Sequence, residues 1–204
     1  MTIAVHPRAR ALLFDVDGTL ADTMPLHFWA WHRLLEDMGI DYPQDMFHAL
    51  AGMPTQRIVG LVNQRFEVSL DPRATAAAKE RLFATRLHEV KPIEPVVALA
   101  RHWRGVMPMA VGTGGRRRLV QRILHTVGLR GWFRIIVAAE DVTDHKPAPD
   151  TWLTCARRLA VPLECCQVFE DGDLGLEAAR QAGMIATDIR PFLLPEDPFR
   201  VLDG

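Results

Sequence analysis

The sequence has few cysteines, no excess of charge of either sign and no long apolar run, and each absence excludes a class of protein. Three cysteines, two of them adjacent (Cys155, Cys165 and Cys166), do not make a disulfide framework, so a reducing, cytoplasmic compartment is expected. Lys and Arg total 24 against 25 Asp and Glu, with no basic half or stripe, which argues against a nucleic-acid partner. No run approaches the ~18 apolar residues of a membrane span, and the residues before Ala11 are too few and too polar for a signal peptide.

A chain of 204 residues is long enough for one core with a small inserted domain. Its balanced charge and the lack of an obvious exposed apolar stripe favour a soluble monomer.

Short apolar runs alternate with helical patterns along most of the chain. This alternation predicts βαβ units and a doubly wound, Rossmann-like α/β fold with a parallel sheet. The predicted strands are residues 11–14, 107–112, 134–139, 165–169 and 184–189, and the predicted helices of this core are 92–104, 116–127, 149–160 and 174–182.

One stretch, from about residue 22 to 90, breaks the alternation with three helical patterns, the third over residues 72–90, and no strand pattern. About 70 residues of helix between two strands exceed any ordinary crossover, so an inserted helical domain is predicted. The predicted domains are therefore a core, residues 1–21 and 92–204, and a helical cap, residues 22–91, that lies over the carboxyl ends of the strands.

Polar residues that can carry chemistry follow four of the predicted strands. Asp15 and Asp17 follow the first strand, Thr113 with Gly114 and Gly115 follows the second, Lys146 follows the third, and Glu170-Asp171 follows the fourth. Each alone has an ordinary structural explanation, such as a helix cap, a turn or a solvated charge. Together they are expected to meet, because the carboxyl ends of parallel strands lie at one edge of the sheet. Ligands of open α/β sheets bind outside this edge.

The carboxylates Asp15, Asp17, Glu170 and Asp171 would repel one another unless a cation compensated them. An oxygen-only set with few protein ligands suits Mg²⁺. Thr113, the amides of the following glycines and Lys146 are donors for an anion beside that metal, which describes a phosphoryl site. One carboxylate of the Asp15/Asp17 pair can attack phosphorus, and the other can transfer the proton.

The segments "DVDGTL" at 15–20, Thr113, "HKPAPD" at 145–150 and "EDGDLG" at 170–175 resemble, in order, the four motifs of the haloacid dehalogenase superfamily. The resemblance covers essentially the whole chain, and the helical insertion lies where that family has its type-1 cap. It implies Asp15 as nucleophile, Asp17 as general acid/base, and Thr113 and Lys146 as phosphoryl binders. It also implies Mg²⁺ held by Asp15, the Asp17 carbonyl and Asp171, with Glu170 nearby or acting through water.

Within the superfamily the chain resembles the β-phosphoglucomutase-like subgroup, and most of all its phosphatases for fructose 1-phosphate and 6-phosphogluconate. The resemblance therefore implies a phosphatase for a small phosphorylated sugar or sugar acid. Gly172 is one departure, since that motif often has Ser there. True dehalogenases of the superfamily do not need the second Asp, so Asp17 favours phosphoryl chemistry.

The cap should select the substrate. Gly52 is a candidate for close approach of the cap backbone to the ligand, and Arg57 for binding a substrate hydroxyl or carboxylate. His27 is a candidate for pointing toward the catalytic pair, against the alternative of a buried, structural histidine. Arg116, Arg117 and Arg118 begin a helix, where cations oppose the dipole, and a solvated run is the favoured interpretation.

Three alternatives stay open on the sequence. A phosphomutase would use the same site with a second phosphate held by the cap, but its Lys-Gly-x-x-Arg motif is matched here by the uncharged Ala51 and Thr55. A receiver-like signalling module also uses a phosphorylated Asp, but such a chain is nearer ~120 residues and has no helical insertion. An inactive binding module on the same fold is the third.

Overall fold

The computed structural model describes residues 2–193 of the chain. Residues 194–204, which belong to the predicted core domain, lie outside the described residues. Within the described part, five parallel strands form one sheet in the order β3-β2-β1-β4-β5. The strands are β1 Ala11–Phe14, β2 Met109–Gly112, β3 Ile135–Val137, β4 Cys166–Glu170 and β5 Ile185–Asp188.

The central strand β1 shows why these runs form strands. All four of its residues are fully buried, because helices cover both faces of the sheet. Phe14 pairs with Val111 on one side and with Phe169 on the other, and the rings of Phe14 and Phe169 stack at 5.0 Å. Since Asp15 directly follows Phe14, this packing fixes where the first acidic motif leaves the sheet.

Four helices cover the two faces of the sheet, α5 and α6 on one and α7 and α8 on the other. These helices are α5 Glu94–Trp103, α6 Arg117–Thr126, α7 Asp150–Leu159 and α8 Asp173–Gln181. The doubly wound parallel α/β fold is therefore confirmed, and the element bounds lie close to the sequence-predicted ones. Strand β3 is shorter than predicted because the Ala138 amide donates to the Asp141 carboxylate at 2.8 Å, which begins a turn.

Four further helices lie between β1 and β2, namely α1 Met24–Glu36, α2 Gln44–Ala49, α3 Thr55–Phe66 and α4 Pro72–Thr85. Helices α1, α2 and α3 share a separate apolar cluster built around Trp31, Tyr42 and Phe47, whereas Phe83 of α4 packs in the same cluster as α5 and α6. The short helix α2 was not predicted. The helical pattern predicted over 72–90 divides into α4 and a 3₁₀ turn, Leu87–Glu89.

The remaining 3₁₀ turns within residues 2–193 are Ala139–Asp141, Leu163–Cys165 and Arg190–Phe192. Over the same residues, none of the helices combines the length and the apolar character that crossing a bilayer would require.

Because Phe14 and Phe169 stack at the centre of the sheet, loss of one ring should strongly destabilise the protein. Phe169→Ala should lower the free energy of unfolding by about 3–5 kcal/mol, because it leaves a cavity against Phe14 at the centre of the sheet. Urea denaturation followed by far-UV circular dichroism would measure it. The control Leu163→Ala changes a side chain that is 37% exposed and should stay within ~0.5 kcal/mol of the wild type; equal effects of both variants would contradict the prediction.

Candidate active site

A buried lysine joins two carboxylates at the carboxyl edge of the sheet. Lys146 Nζ lies 2.7 Å from Asp15 Oδ1 and 2.6 Å from Glu170 Oε2, and all three residues are at most 5% exposed. The ammonium also lies 4.4 Å from the centroid of the Trp152 ring. Burial alone would lower the pKa of Lys146, but the negative charges of Asp15 and Glu170 raise it above its usual value. The lysine therefore stays charged.

The first carboxylate, Asp15, is nevertheless under-compensated. Burial, and then the charge of Glu170, raise the pKa of Asp15 well above its usual value in spite of Lys146. Burial and the same glutamate raise the pKa of Asp171 to about 8. Carboxylate oxygens of Asp15, Glu170 and Asp171 lie within 4.8 Å of one another. This arrangement of hard oxygen ligands with excess negative charge fits a divalent cation such as Mg²⁺.

The acidic loop after β4 is held by the backbone and by Thr19. Glu170 Oε1 accepts hydrogen bonds from the amides of Asp171 and Gly172 at 3.1 and 3.0 Å, and the Thr19 hydroxyl donates to Asp171 Oδ1 at 2.7 Å. Both carboxylate oxygens of Glu170 thus have donors inside the protein, since Lys146 contacts the other one.

Two glycines make room for these carboxylates. Gly18 has φ +84°, and a Cβ there would lie 2.1 Å from Asp171 Oδ2. A Cβ on Gly175 would lie 1.9 Å from Glu170 Oε2. The glycines of the first and last motifs therefore serve the packing of the acidic cluster.

Asp17 has a different environment from Asp15. Its Oδ1 accepts from the Thr23 hydroxyl at 2.7 Å and lies 3.1 Å from His27 Nε2. Burial alone would raise the pKa of Asp17, but the hydrogen bonds from His27 and Thr23 keep it below its usual value. The second oxygen, Oδ2, faces the loop after β2, since a Cβ on Gly115 would lie 3.6 Å from it.

One cavity of about 70 Å³ connects Asp15 and Asp17 with the helices between β1 and β2, whereas Lys146, Glu170 and Asp171 lie outside its lining. Its sheet side consists of Asp15, Asp17 and the loop after β2, in which Thr113 Oγ1 accepts from the Gly115 amide at 3.0 Å. Its helical side is mainly apolar: Met24, Trp31, Phe47, Leu50, Ala51 and Ile58, with Gly52, Thr55, His27 and Lys79.

The backbones of the two sides approach closely at Gly52. A Cβ on Gly114 would lie only 2.3 Å from the Gly52 carbonyl oxygen. Arg57, in contrast, is exposed on α3 outside the cavity lining, and burial, followed by the charge of Arg57, lowers the pKa of His145. Arg116 forms an ion pair with Glu80 of α4 at 3.4 Å, so the three arginines at 116–118 are not simply a solvated run.

Sequence reasoning missed Lys79. This residue of α4 is 3% exposed, and its Nζ lies 2.5 Å from His27 Nδ1. Because an ammonium only donates, His27 accepts at Nδ1 and carries its proton on Nε2, toward Asp17. The composition contains one indication of this residue. Because only three of the 24 Lys and Arg residues are lysines, a lysine in the Arg-rich segment at 72–90 is unusual.

Comparison with known proteins agrees with this geometry. A model of the haloacid dehalogenase-like hydrolases matches residues 9–183. The chain belongs to the haloacid dehalogenase-like hydrolases. The proposed resemblance is thereby confirmed at the level of the family.

Named relatives of this hydrolase include phosphatases. The fructose-1-phosphate phosphatase YqaB of Escherichia coli is 43% identical over 91% of this chain and 99% of its own length. A phosphorylated-carbohydrates phosphatase of Thermotoga maritima is 31% identical over 85% of this chain and 82% of its own. The crystal structure of β-phosphoglucomutase from Clostridium difficile has the same fold, with a TM-score of 0.79 at 23% identity over 88% of this chain and 84% of that one.

The burial of Lys79 predicts a pH-dependent stability for this hydrolase. Burial lowers the pKa of Lys79 from 10.5 to about 8, so the folded state loses this proton at lower pH than the unfolded state. The contribution of Lys79 to the free energy of unfolding is therefore fully present above about pH 10.5, and it is lost as the pH falls through about 8. Lys79→Met should remove this dependence.

Urea denaturation of both proteins at about pH 7 and about pH 9.5, in EDTA, measures the effect. The stability difference, wild type minus variant, should increase with pH. Arg81→Met, a change at an exposed position of the same helix, is the control and should leave the slope unchanged. A difference that is constant or decreases with pH would contradict the burial of a charged Lys79.

Proposed function

We propose that this hydrolase is a Mg²⁺-dependent phosphatase that acts on small phosphorylated sugars, of the fructose 1-phosphate or 6-phosphogluconate type, through an aspartyl-phosphate. The observation that carries the proposal is the contrast between two neighbouring carboxylates at one cavity. Asp15 is held by Lys146, whereas Asp17 is held by Thr23 and His27. Separate donor sets allow the two groups to perform different chemistry.

Asp15 is the nucleophile of the proposed reaction. One of its oxygens attacks the phosphorus of the substrate, a P–O bond to Asp15 forms, and the P–O bond to the sugar breaks. Asp17 gives its proton to the departing sugar oxygen. Thr113 and the Gly114 amide line the cavity and would bind the oxygens of the phosphoryl group, and Lys146, whose ammonium contacts Asp15 from outside the lining, would help to stabilise the charge that develops on them.

Hydrolysis of the aspartyl-phosphate completes the reaction. Asp17, now a carboxylate, takes a proton from water, the water oxygen bonds to phosphorus, and the bond to Asp15 breaks to release phosphate. The lowered pKa of Asp17 in the free site suits this second step. For the first step, the approaching phosphate dianion raises the pKa of Asp17 by like-charge repulsion, which favours its protonated form.

The residues proposed to hold Mg²⁺ are Asp15, the Asp17 carbonyl and Asp171. Glu170 is proposed to act nearby, because both of its carboxylate oxygens already have protein donors. When bound, the cation would neutralise the carboxylates and polarise the phosphoryl group. The raised pKa values of Asp15 and Asp171 support this assignment, since burial and the charge of Glu170 both disfavour the carboxylate forms, which a bound cation would stabilise.

Residues 22–91 are proposed as the cap domain and residues 1–21 with 92–204 as the core. In this division His27 and Lys79 of the cap position Asp17 of the core. Gly52 brings the cap backbone to Gly114, in the loop after β2. Arg57 is proposed to contact substrate only if the cap moves relative to the core, because it lies outside the cavity lining.

A phosphomutase is the second candidate, and the cavity favours hydrolysis over it. Among the described residues that line the cavity from the cap, Lys79 is the one Lys or Arg, and it is already engaged by His27. A mutase needs a cation that can hold a second phosphate there. The substrate expected from this lining is a small sugar with a single phosphate.

Phosphate release tests the proposal. The purified protein with Mg²⁺ should release phosphate from fructose 1-phosphate or 6-phosphogluconate, and Asp15→Asn should lower the rate on the order of 10³-fold or more by removing the nucleophile. The control Asp41→Asn changes an exposed aspartate and should keep full activity. No release from any ester in a sugar-phosphate panel, with conversion of glucose 1-phosphate to the 6-phosphate, would favour the mutase.

Metal binding gives an independent prediction. Because the pKa values of Asp15 and Asp171 are raised, the metal-free protein should lose stability as the pH rises through about 4 to 8. Mg²⁺ should remove this loss, so it should raise the unfolding temperature more at about pH 8 than at about pH 5.5.

Differential scanning fluorimetry with Mg²⁺ or EDTA measures this shift. Asp171→Asn should lose most of the response to Mg²⁺, while Asp41→Asn should retain it. A response that is independent of pH, or equal in the two variants, would argue against a metal site at Asp171.

A further inference from the structure

A second concave surface lies apart from the active-site cavity. It has a volume of about 870 Å³ and is formed by the 3₁₀ turn Leu87–Glu89 with the end of α4, one face of α6, and the segment that leads into β3. We call it the basic groove. It shares no lining residue with the active-site cavity.

The basic groove carries five basic side chains and no acidic one. Its lining includes Arg118, Arg122, Arg130, His88 and His125, all exposed, and neither Asp nor Glu. Among the described residues, none of the three arginines forms an ion pair. The chain as a whole has a formal charge of −1, so this concentration of positive charge is local.

One carboxylate lies beside the groove, but it is already engaged. Glu89 Oε1 is 3.9 Å from His88 Nε2 and accepts from Arg86 Nε at 2.7 Å. It therefore does little to neutralise the arginines on the other walls.

The floor of the groove is apolar. Leu87, Leu124, Leu129 and Phe133 line it, and each is at most 6% exposed. A ligand that fits must therefore combine anionic groups for the rim with a flat or apolar part for the floor.

Helix α6 arranges the cations for a multiply charged anion. Arg118 and Arg122 are four residues apart and so lie on the same face, and His125 follows three residues later. Like charges at this spacing destabilise a helix slightly when nothing neutralises them. Arginine forks bind phosphate oxygens in pairs, which makes phosphate groups the natural neutralising ligand.

We propose that the basic groove is a binding site for a nucleoside polyphosphate, with the phosphate chain on the arginines and the base on the apolar floor. The volume lies within the range of about 300–1,000 Å³ that is usual for small-molecule sites. The lining comes from three separate segments of the chain, which is why no basic stripe is visible in the sequence. This site is independent of the proposed phosphatase chemistry.

Titration calorimetry of the whole protein in EDTA, which prevents Mg²⁺-dependent turnover, tests the assignment with ATP and GTP as probes. Arg122→Gln combined with Arg130→Gln should weaken binding by about tenfold or more, because two fixed charges are removed from the rim. The matched control, Arg65→Gln with Arg73→Gln, changes two exposed arginines outside the groove and should bind like the wild type. Phosphate release by both double variants should match the wild type, which separates the groove from the active site.

Inorganic tripolyphosphate is the third probe and should bind at least about fivefold more weakly than ATP, because it has no base for the apolar floor. Equal affinity for tripolyphosphate and ATP would overturn the assignment to a nucleotide. Equal losses in the groove and control variants, or no binding of any probe, would overturn the site itself. A dimer in light scattering that the groove variant alone dissociates would assign the groove instead to a second copy of the chain.

Discussion

The ammonium of Lys146 between Asp15 and Glu170 is the interaction on which the site depends. Asp15 follows β1, Glu170 ends β4 and Lys146 lies in the segment between β3 and α7; all three side chains are buried where an unpaired charge would be costly. Lys146 compensates one negative charge of the three carboxylates around it. Burial, together with the excess that remains, raises the pKa values of Asp15 and Asp171, and a bound cation would neutralise that excess.

The same principle explains why Asp15 and Asp17 differ although one residue separates them. Asp15 lies among other carboxylates, whereas Asp17 points to hydroxyl and imidazole donors. Asp17 accepts from Thr23, just before α1, and from His27 in its first turns. His27 is in turn held by Lys79 of α4. Thr23 illustrates this: it precedes α1 as its N-cap residue, yet its hydroxyl bonds Asp17 and not the helix end.

The helices between β1 and β2 therefore do more than cover the cavity. Gly52 brings their backbone against Gly114, and Glu80 pairs with Arg116, which follows the loop after β2. The family to which the chain belongs explains the order of its motifs. The contacts of Lys79 and Glu80, in contrast, lie outside those motifs. They hold the helices between β1 and β2 against the sheet.

The α/β fold, the order of the strands along the chain and the polar residues that follow them (Asp15, Asp17, Thr113, Lys146 and Glu170-Asp171) could be predicted from the sequence. These features are local, because buried parallel strands are continuous apolar runs and their ends are marked by polar residues. Three features could not be predicted in this way: Lys79 reaches His27 across 52 residues, Arg57 lies outside the cavity, and distant arginines share one groove. The physical reason is that contacts between helices depend on packing angles and side-chain directions, which no periodicity within one helix specifies.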